Sequence, residues 1–406
     1  MKLASYFWGF HILIPCGEFV IGVIPNQFAY TLVDCLYFSY LFAVYSTRSR
    51  TLRSIPGPLI PNRFGAATLL SIILVAWSGL SFAWTPAPVK TAGFVLDILA
   101  KVLISYLLCR LYPIPDVFRN VCKGTAYAAS VLTPVAIVTT GFTGGRLGGE
   151  GSNAPGFGGV LASQFALGIL SVIYLTREKA LSRKSTIFIL ASIAIGEYLV
   201  FSKTDIIAFV VVGMVYAIFA PGTVRLRCAR SLLAIITIFA LWMITASKLA
   251  GYANRGENVD TLTGRTVLWA LTVRQLLNGP WIRGFGFLAF RDIGPTPWHG
   301  ALKISHAHNE FLQVWFNFGL VGVALVFGSY FALGYASFKV MKQGRRFLSV
   351  FIACMLVYYL IRGLTGASVF LCLLPVEWLV LFDCLASTPG AAAVNLAPNR
   401  SRTGLL

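Results

Sequence analysis

Long apolar stretches separated by short polar connections run along almost the whole chain of 406 residues. A helix that crosses the hydrocarbon core of a bilayer needs about 20 mostly apolar residues. The pattern therefore predicts an all-α fold, a polytopic transmembrane helical bundle of about 12 spans. The predicted spans lie near residues 6–24, 27–45, 64–84, 91–109, 121–139, 158–176, 186–202, 204–220, 231–249, 309–335, 347–362 and 367–385. The seventh and eighth are short, and only Ser202-Lys203-Thr204-Asp205 separates them, so one merged helix is the alternative there.

The composition agrees with this pattern and excludes a soluble globular domain, since 57% of the residues are hydrophobic and only 12% are charged. The formal net charge is +19, and the basic residues fall in every second connection, as the positive-inside rule requires. The positive charge therefore reflects the orientation of the chain in the membrane and does not indicate nucleic acid as a partner. It predicts cytoplasmic termini and places the loops 140–157 and 251–308 on the opposite side. The basic connections contain Arg48, Arg50, Arg53 and Arg63; Arg110, Arg119 and Lys123; Arg177, Lys179, Arg183 and Lys184; Arg225, Arg227 and Arg230; Lys339, Lys342, Arg345 and Arg346.

The domain organisation is simple, because no internal repeat divides the chain. We expect one integral membrane domain over 1–386. The end of the chain, 387–406, is rich in alanine and polar residues and is predicted to be a disordered cytoplasmic tail. None of the eight cysteines lies in a predicted exported loop, so no disulfide is expected.

The two loops on the far side of the membrane differ from the other connections. Residues 141–159 contain nine glycines, a composition that argues against a regular helix or strand and lets the backbone approach a ligand closely. The loop 251–308 is much longer than an ordinary connection, and long loops in compact domains are usually functional. Within it we expect a helix from Gly264 to Leu277. Its residues Trp269, Val273 and Leu276 share one face, which predicts a helix lying on the membrane surface.

The candidate base is His308, which stands at the predicted start of the tenth span, after His306 and before Asn309. Free backbone N–H groups at a helix N-terminus favour an anion and disfavour imidazolium. A neutral histidine beside an anion site is suited to act as a general base. The alternatives are a histidine with a purely structural bond, and a metal site that would combine the pair with His299, Asp292 or Glu310. The spacing of two residues and the lack of an assisting cysteine disfavour the metal.

Several cations are predicted to share the face of the membrane on which His308 lies. Arg146 stands in the glycine-rich loop, Lys203 between two short spans, and Arg265 at the start of the loop helix. Each could simply extend to lipid headgroups. Together they predict a cationic patch suited to phosphate or pyrophosphate.

The ionisable residues inside the spans do not indicate a transporter. Asp97 and Lys101 are four residues apart and are predicted to pair on one helix, and Asp34 is a further candidate. By their spacing these residues form no continuous relay, which disfavours a proton-coupled pump.

Four ordered motifs resemble the bacterial O-antigen ligase and polymerase superfamily. They span about 140–325, and the predicted helix count is similar over the whole chain. The residues at the variable positions of these motifs most resemble those of exopolysaccharide polymerases of the succinoglycan type. The motifs are the Arg146 loop ending in Asn153-x-Pro155; Ser202-Lys203-Thr204; Gly264-Arg265-Thr266-x-x-Trp269 followed by Gly284-Phe285-Gly286-Phe287; and His308-Asn309 followed by Gly319-x-x-Gly322.

The resemblance implies a GT-C-like, metal-independent glycosyltransferase of the bacterial inner membrane, without a cofactor, whose active site faces the periplasm. Its donor would be an oligosaccharide on undecaprenyl pyrophosphate. The acceptor would be another glycan in a polymerase or lipid A-core in a ligase. Chain-length regulators and export proteins are further implied partners, besides the lipid bilayer itself.

The resemblance also implies roles for individual residues. His308 would activate the acceptor hydroxyl, and Arg265 would hold the pyrophosphate leaving group. Lys203, Arg146 and Arg291 are predicted to contact the same pyrophosphate. The residues predicted to position these side chains, without contacting the substrate themselves, are Asn309, His306 and Gly264. Relatives often carry a glutamate near the outer end of one of the last two helices, whereas the segment 362–368 contains no acid.

We therefore expect a polymerase of an exported polysaccharide, with an O-antigen ligase as the alternative within the same chemistry. The alternative from another class is a flippase for lipid-linked oligosaccharides. A flippase would show related halves and functional charges deep in the spans, whereas these candidates gather at one face. A scaffold for an export complex is a third possibility, and it would not need His308 or the loop cations.

Overall fold

The computed structural model describes residues 27–52, 65–140, 142–143, 146–147, 158–200, 202–232, 265–295, 306–366 and 376–387, together with 5, 7–9 and 236. The predicted first span, much of the ninth and the tail 388–406 lie outside these residues. The helices are α1 (Gln27–Leu52), α2 (Ala66–Leu80), α3 (Pro88–Leu111), α4 (Ile114–Thr140), α5 (Gly158–Arg177), α6 (Arg183–Val200), α7 (Lys203–Phe219), α8 (Arg265–Leu277), α9 (Ala289–Ile293), α10 (Glu310–Lys342), α11 (Arg346–Thr365) and α12 (Val376–Ser387). Residues 224–232 are also helical.

The predicted all-helical class is confirmed. Among the described residues, five helices are long and apolar enough to cross a bilayer, and four shorter helices are also apolar. The five are Ala66–Ala83, Pro88–Leu111, Ile114–Val138, Glu310–Lys342 and Arg346–Leu364. The total of about 12 spans and the GT-C-like arrangement stay predictions.

Two details differ from the sequence-based expectations. The glycine-rich loop contains a two-stranded antiparallel hairpin, β1 (Phe142–Thr143) and β2 (Arg146–Leu147), although its composition argued against a strand. The strands are joined by Gly144-Gly145, a dipeptide that suits tight hairpin turns. Ser387 belongs to α12 and not to the tail.

The seventh and eighth predicted spans are two separate helices and not one merged helix, since α6 ends at Val200 and α7 begins at Lys203.

The centre of the bundle is aromatic and joins helices that are distant in the chain. Phe118 of α4 is fully buried, and its ring packs edge-on against Tyr174 of α5, Trp378 of α12 and Phe351 of α11, at 4.8, 5.8 and 6.1 Å between centroids. Edge-to-face pairs at these distances stabilise a core beyond their buried area. This cluster ties α4, α5, α11 and α12 into one body.

Helix α10 is broken at Gly319, whose φ of 66° and ψ of −167° are not helical. A break leaves backbone groups without helical partners, and such groups must be satisfied inside a bilayer. The segment 281–286 and one indole supply the partners. The hydrogen bonds run from Phe285 N to Phe316 O (2.8 Å), Gly286 N to Asn317 O (2.9 Å), Leu320 N to Trp281 O (3.1 Å), Val321 N to Ile282 O (3.3 Å) and Trp77 Nε1 to Phe318 O (3.0 Å).

The glycines of two sequence motifs make this docking possible. A Cβ on Gly319 would lie 2.0 Å from Ile282 O, and a Cβ on Gly284 would lie 2.5 Å from Asn317 O. Both residues also have positive φ, 66° and 75°, which disfavours any side chain. The Gly-Phe-Gly-Phe and Gly-x-x-Gly motifs are therefore two halves of one structural joint between the loop and α10.

The predicted pair inside the spans is confirmed. Lys101 Nζ lies 2.8 Å from Asp97 Oδ2 within α3. Asp34 of α1 is fully buried and hydrogen-bonds to the Asp97 carboxyl. The structure thus joins three residues that the spacing alone only partly connected.

Candidate active site

The segment 306–309 is held rigidly at the start of α10. The Ala307 N–H donates to Gln313 Oε1 at 2.8 Å, and the Ala307 carbonyl accepts from Trp269 Nε1 at 2.9 Å. Ala307 itself is fully buried. Both backbone groups between the two histidines are therefore fixed by side chains.

Asn309 begins α10 as its N-cap. Its Oδ1 accepts from the Leu312 N–H at 3.0 Å, and its Nδ2 donates to Leu364 O at 3.0 Å. The first bond satisfies a free amide of the helix start, and the second ties this start to the end of α11. The expected helix start near His308-Asn309 is confirmed, since α10 runs from Glu310.

His308 lies directly before this cap with a φ of 51°. A non-glycine residue in the left-handed region is uncommon, costs roughly 1–3 kcal/mol and persists only where its surroundings enforce it. The bonds to Ala307 and Asn309 supply that enforcement. They fix the backbone on both sides of His308.

The two imidazoles pack against each other, with ring centroids 4.1 Å apart at 75°. Burial, then the neighbouring His306, Arg265 and Arg362, lowers the pKa of His308 to about 3. Burial, followed by Arg265 and Arg362, lowers the pKa of His306 to about 4. The buried His306 Nδ1 has no hydrogen-bond partner within the described part of the chain. The expectation of a neutral His308 is therefore supported.

Among the described side chains, Arg265 and Arg362 are the two cations whose charge acts on the histidine pair. Arg265 is the first residue of α8, and Arg362 lies in the last turn of α11. Trp269 brings α8 to this place through its bond to Ala307. Two guanidinium groups thus act electrostatically on two neutral imidazoles where α8 and α10 begin and α11 ends.

A buried carboxylate stands behind Arg362. Asp205 of α7 is fully buried, and its Oδ1 lies 3.1 Å from Arg362 Nε. The Tyr358 hydroxyl donates to the same oxygen, and Ser202 Oγ donates to Oδ2. Glu197 is also close enough to act electrostatically on Asp205 and Arg362. The ends of α6 and α11 and the start of α7 therefore form the wall of this site.

The other predicted site residues are placed less completely. Lys203 is the first residue of α7, two positions before Asp205. Arg146 lies in β2, and this hairpin follows directly on α4 at the end of the bundle where α6 also ends. The described residues do not include Gly264 or the side chains of Lys203 and Arg146. Arg291 is exposed on α9 and is not among the charged groups that act on the histidine pair.

The loop helix is confirmed over Arg265–Leu277, but its buried face differs from the expected one. The buried residues are Leu268, Thr272 and Leu276, so Trp269 and Val273 only flank that face. Leu268 and Leu276 pack with Ala307 and residues of α9 and α10. The position of α8 on the membrane surface stays a prediction.

Within the described part of the chain, no three His, Cys, Asp or Glu side chains come together in a way that could hold a metal ion. His299, which the metal alternative would use, lies outside the described residues. Asp292 is on α9.

Sequence reasoning missed three residues of the site. The sequence motifs indicate the segment around Arg362 only through the glutamate that it lacks, and they do not indicate Tyr358. They place Asp205 beside Lys203 but do not indicate that it pairs with a cation. The available signal was an arginine and an aspartate that both fall at predicted span ends on the same side.

The comparisons with known proteins concern a segment that includes part of this candidate site. Residues 186–327 match a family model described as O-antigen ligase. The matched segment contains Asp205, Arg265 and the histidine pair, and it ends within α10 beyond the break. A search of the curated proteins found no match. Over residues 186–327 the chain is therefore similar to the O-antigen ligase family, and this similarity supports an enzyme of ligase or polymerase type.

Proposed function

We propose that this protein is a glycosyltransferase of the bacterial inner membrane that polymerises the repeat units of an exported polysaccharide. It would take a glycan from undecaprenyl pyrophosphate on the periplasmic side and transfer it to a second glycan. The observation that carries the proposal is the half-buried His308, on which the charge of Arg265 acts, inside the segment that is similar to the O-antigen ligase family.

The reaction needs one base and a stabilised leaving group. The acceptor hydroxyl oxygen forms a bond to the anomeric carbon, and His308 takes the hydroxyl proton. The bond from that carbon to the pyrophosphate oxygen breaks, and the pyrophosphate keeps the electron pair. Arg265 stabilises the charge on this leaving group, which needs no protonation of its own. The step uses no metal ion or cofactor.

The low pKa of His308 shapes this mechanism. A pKa of about 3 keeps the imidazole neutral, but a general base works best with a pKa near the working pH. Bound pyrophosphate adds negative charge beside His308, which favours the imidazolium and raises its pKa. Donor binding would therefore turn a neutral but weak base into an effective one.

Further residues complete the proposed site. Lys203, Arg146 and Arg291 would add positive charge for the pyrophosphate, with Lys203 acting as a point charge without the fork of an arginine. Gly264 would let the backbone before Arg265 approach the ligand. His306 and Asn309 would hold His308 in place, which agrees with the ring contact and the helix cap.

A ligase that transfers the finished glycan to lipid A-core is the second candidate. The family that residues 186–327 match is described as O-antigen ligase, which favours this candidate. The same base and cations would serve it, because only the acceptor differs.

The test is to express His308→Ala and Arg265→Ala in the parent strain and to separate the surface polysaccharide on a gel. Both variants should abolish long polymer at normal protein levels. Gly213→Ala is the control, because a Cβ there meets nothing within 4 Å. Full-length polymer from both variants would contradict the proposal and would favour a scaffold.

The accumulated intermediate identifies the acceptor. Single repeat units on the lipid carrier in the periplasmic leaflet indicate a polymerase. Finished polymer that does not reach lipid A-core indicates a ligase. Accumulation in the cytoplasmic leaflet would point to a flippase and would contradict both candidates.

A further inference from the structure

Arg362 is held in a fixed position by residues that are themselves fixed. Its partner Asp205 is fully buried and also accepts hydrogen bonds from the hydroxyl groups of Tyr358 and Ser202. Tyr358 lies one helical turn before Arg362 on α11. Because two donors orient the carboxylate, the ion pair at 3.1 Å keeps the guanidinium beside a fixed anion.

Gly366 supplies a second and independent constraint. A Cβ on Gly366 would lie 1.4 Å from Arg362 Nη1, so the guanidinium rests directly on the glycine backbone. Gly366 has a φ of −126° and a ψ of 155°, a conformation that any residue adopts. A side chain at this position would therefore displace the guanidinium, without any strain in the backbone.

Arg362 acts electrostatically on the histidine pair. Its side chain is 16% exposed, and its charge acts on both His306 and His308 together with that of Arg265. A guanidinium offers five N–H donors in a plane. The charge of Arg362 therefore acts on the histidine pair as well as on Asp205.

We propose that Arg362 is a further pyrophosphate-binding residue of the site besides Arg265, and that Asp205, Tyr358 and Gly366 position it. This inference rests on the proposed function, because it assigns Arg362 to the leaving group of that reaction. Two guanidinium groups from different helices would hold the two phosphates between them, since arginine binds phosphate oxygens in a bidentate manner.

The experiment measures binding of inorganic pyrophosphate to the purified protein in detergent by titration calorimetry. Arg265→Gln marks the site, and Gly213→Ala is the control. Arg362→Gln and Gly366→Ala should each weaken binding by about 10- to 100-fold, as expected for a lost hydrogen bond to a charged group. Arg362→Lys should recover part of the affinity, because the charge remains without the fork.

A double variant separates binding from folding. Arg362→Gln leaves Asp205 buried and unpaired, which can unfold the protein. Arg362→Gln with Asp205→Asn removes both charges and should restore the melting temperature but not the affinity. If the double variant binds pyrophosphate as tightly as the wild type, Arg362 is only a structural partner of Asp205 and the inference is wrong.

The same titrations distinguish this inference from the proposed function. If the wild type does not bind pyrophosphate at all, the proposed function itself fails. If Arg265→Gln weakens binding while Arg362→Gln and Gly366→Ala do not, the function stands and the role of Arg362 is refuted. In a transfer assay, Arg362→Gln should raise the donor KM and leave the acceptor KM unchanged.

Discussion

Trp269 Nε1 donates a hydrogen bond of 2.9 Å to the carbonyl oxygen of Ala307. The two residues belong to different motifs of the sequence, one in the loop helix and one between the two histidines. Their bond fixes the distance between the start of α8, where Arg265 lies, and His308. The tryptophan of the Gly-Arg-Thr-x-x-Trp motif therefore has a positioning role that its place in a helix does not indicate.

Trp269→Phe should lower transfer activity by roughly tenfold while the protein remains folded. The change removes only the indole N–H, and a typical hydrogen bond contributes about 0.5–1.5 kcal/mol. Activity per amount of folded protein is the measurement. Trp84→Phe is the matched control, because the buried Trp84 Nε1 has no partner within the described residues. Equal activities of the two variants would show that the bond to Ala307 does not matter.

The histidine pair should make stability depend on pH. The folded-state pKa values of His306 and His308 are about 4 and about 3, below the ordinary value of about 6.5 in an unfolded chain. Between these values the unfolded state binds more protons, so stability increases with pH across this window and is lost as the pH falls. The melting temperature in detergent should therefore fall from pH 7 to pH 4.

Replacing both histidines tests this assignment. His306→Gln with His308→Gln should flatten the part of the pH dependence that lies between pH 4 and about 6.5. Above about pH 7.5 both histidines are neutral in either state, so the difference from the wild type should stay constant there. An unchanged slope in the double variant would mean that the histidines are not buried as described.

Gly319→Ala should destabilise the protein by about 3 kcal/mol or more, because backbone strain and overpacking each cost about 1–3 kcal/mol. The new Cβ would lie 2.0 Å from Ile282 O at a residue with a φ of 66°. Thermal unfolding in detergent measures the effect. Gly334→Ala on the same helix is the control, since its nearest neighbour is 4.0 Å away. Similar melting temperatures for both variants would argue against the joint at Gly319.

Lys101→Met should destabilise the protein by about 3–5 kcal/mol, the usual cost of removing one partner of a buried ion pair. Lys101 and Asp97 are 2.8 Å apart, with side chains 15% and 7% exposed. Adding Asp97→Asn should recover most of the stability, because the carboxylate that Lys101 compensates is then gone, and the new amide can still hydrogen-bond to Asp34. Thermal unfolding of both variants is the measurement. If the double variant is no more stable than Lys101→Met, the pair does more than neutralise charge.

The sequence predicted those features that depend on local pattern. Apolar length predicted α2, α3, α4, α10 and α11. The spacing of Asp97 and Lys101 predicted their pair, because both lie on one helix. The cap at Asn309 was located within two residues, because a helix start has its own local signals.

The features that were missed depend on contacts between distant helices. Asp205 and Arg362 lie on α7 and α11, and nothing in the local sequence of either indicates the other. The break at Gly319 could not be predicted for a similar reason. Glycine is common within apolar helices, and only the contact with the docked loop requires a glycine at this position. The buried face of α8 was misjudged because the cluster with Ala307 and α10 decides it.

The break in α10 has a consequence for how the protein enters the membrane. All five groups that satisfy the broken backbone belong to residues 77 and 281–286, which the ribosome makes before α10. Chains assemble from the N-terminus during synthesis, so every partner is already available when α10 leaves the translocation channel. The helix can therefore be inserted in its broken form, without first exposing unpaired amides to lipid and without waiting for a later segment to repair it.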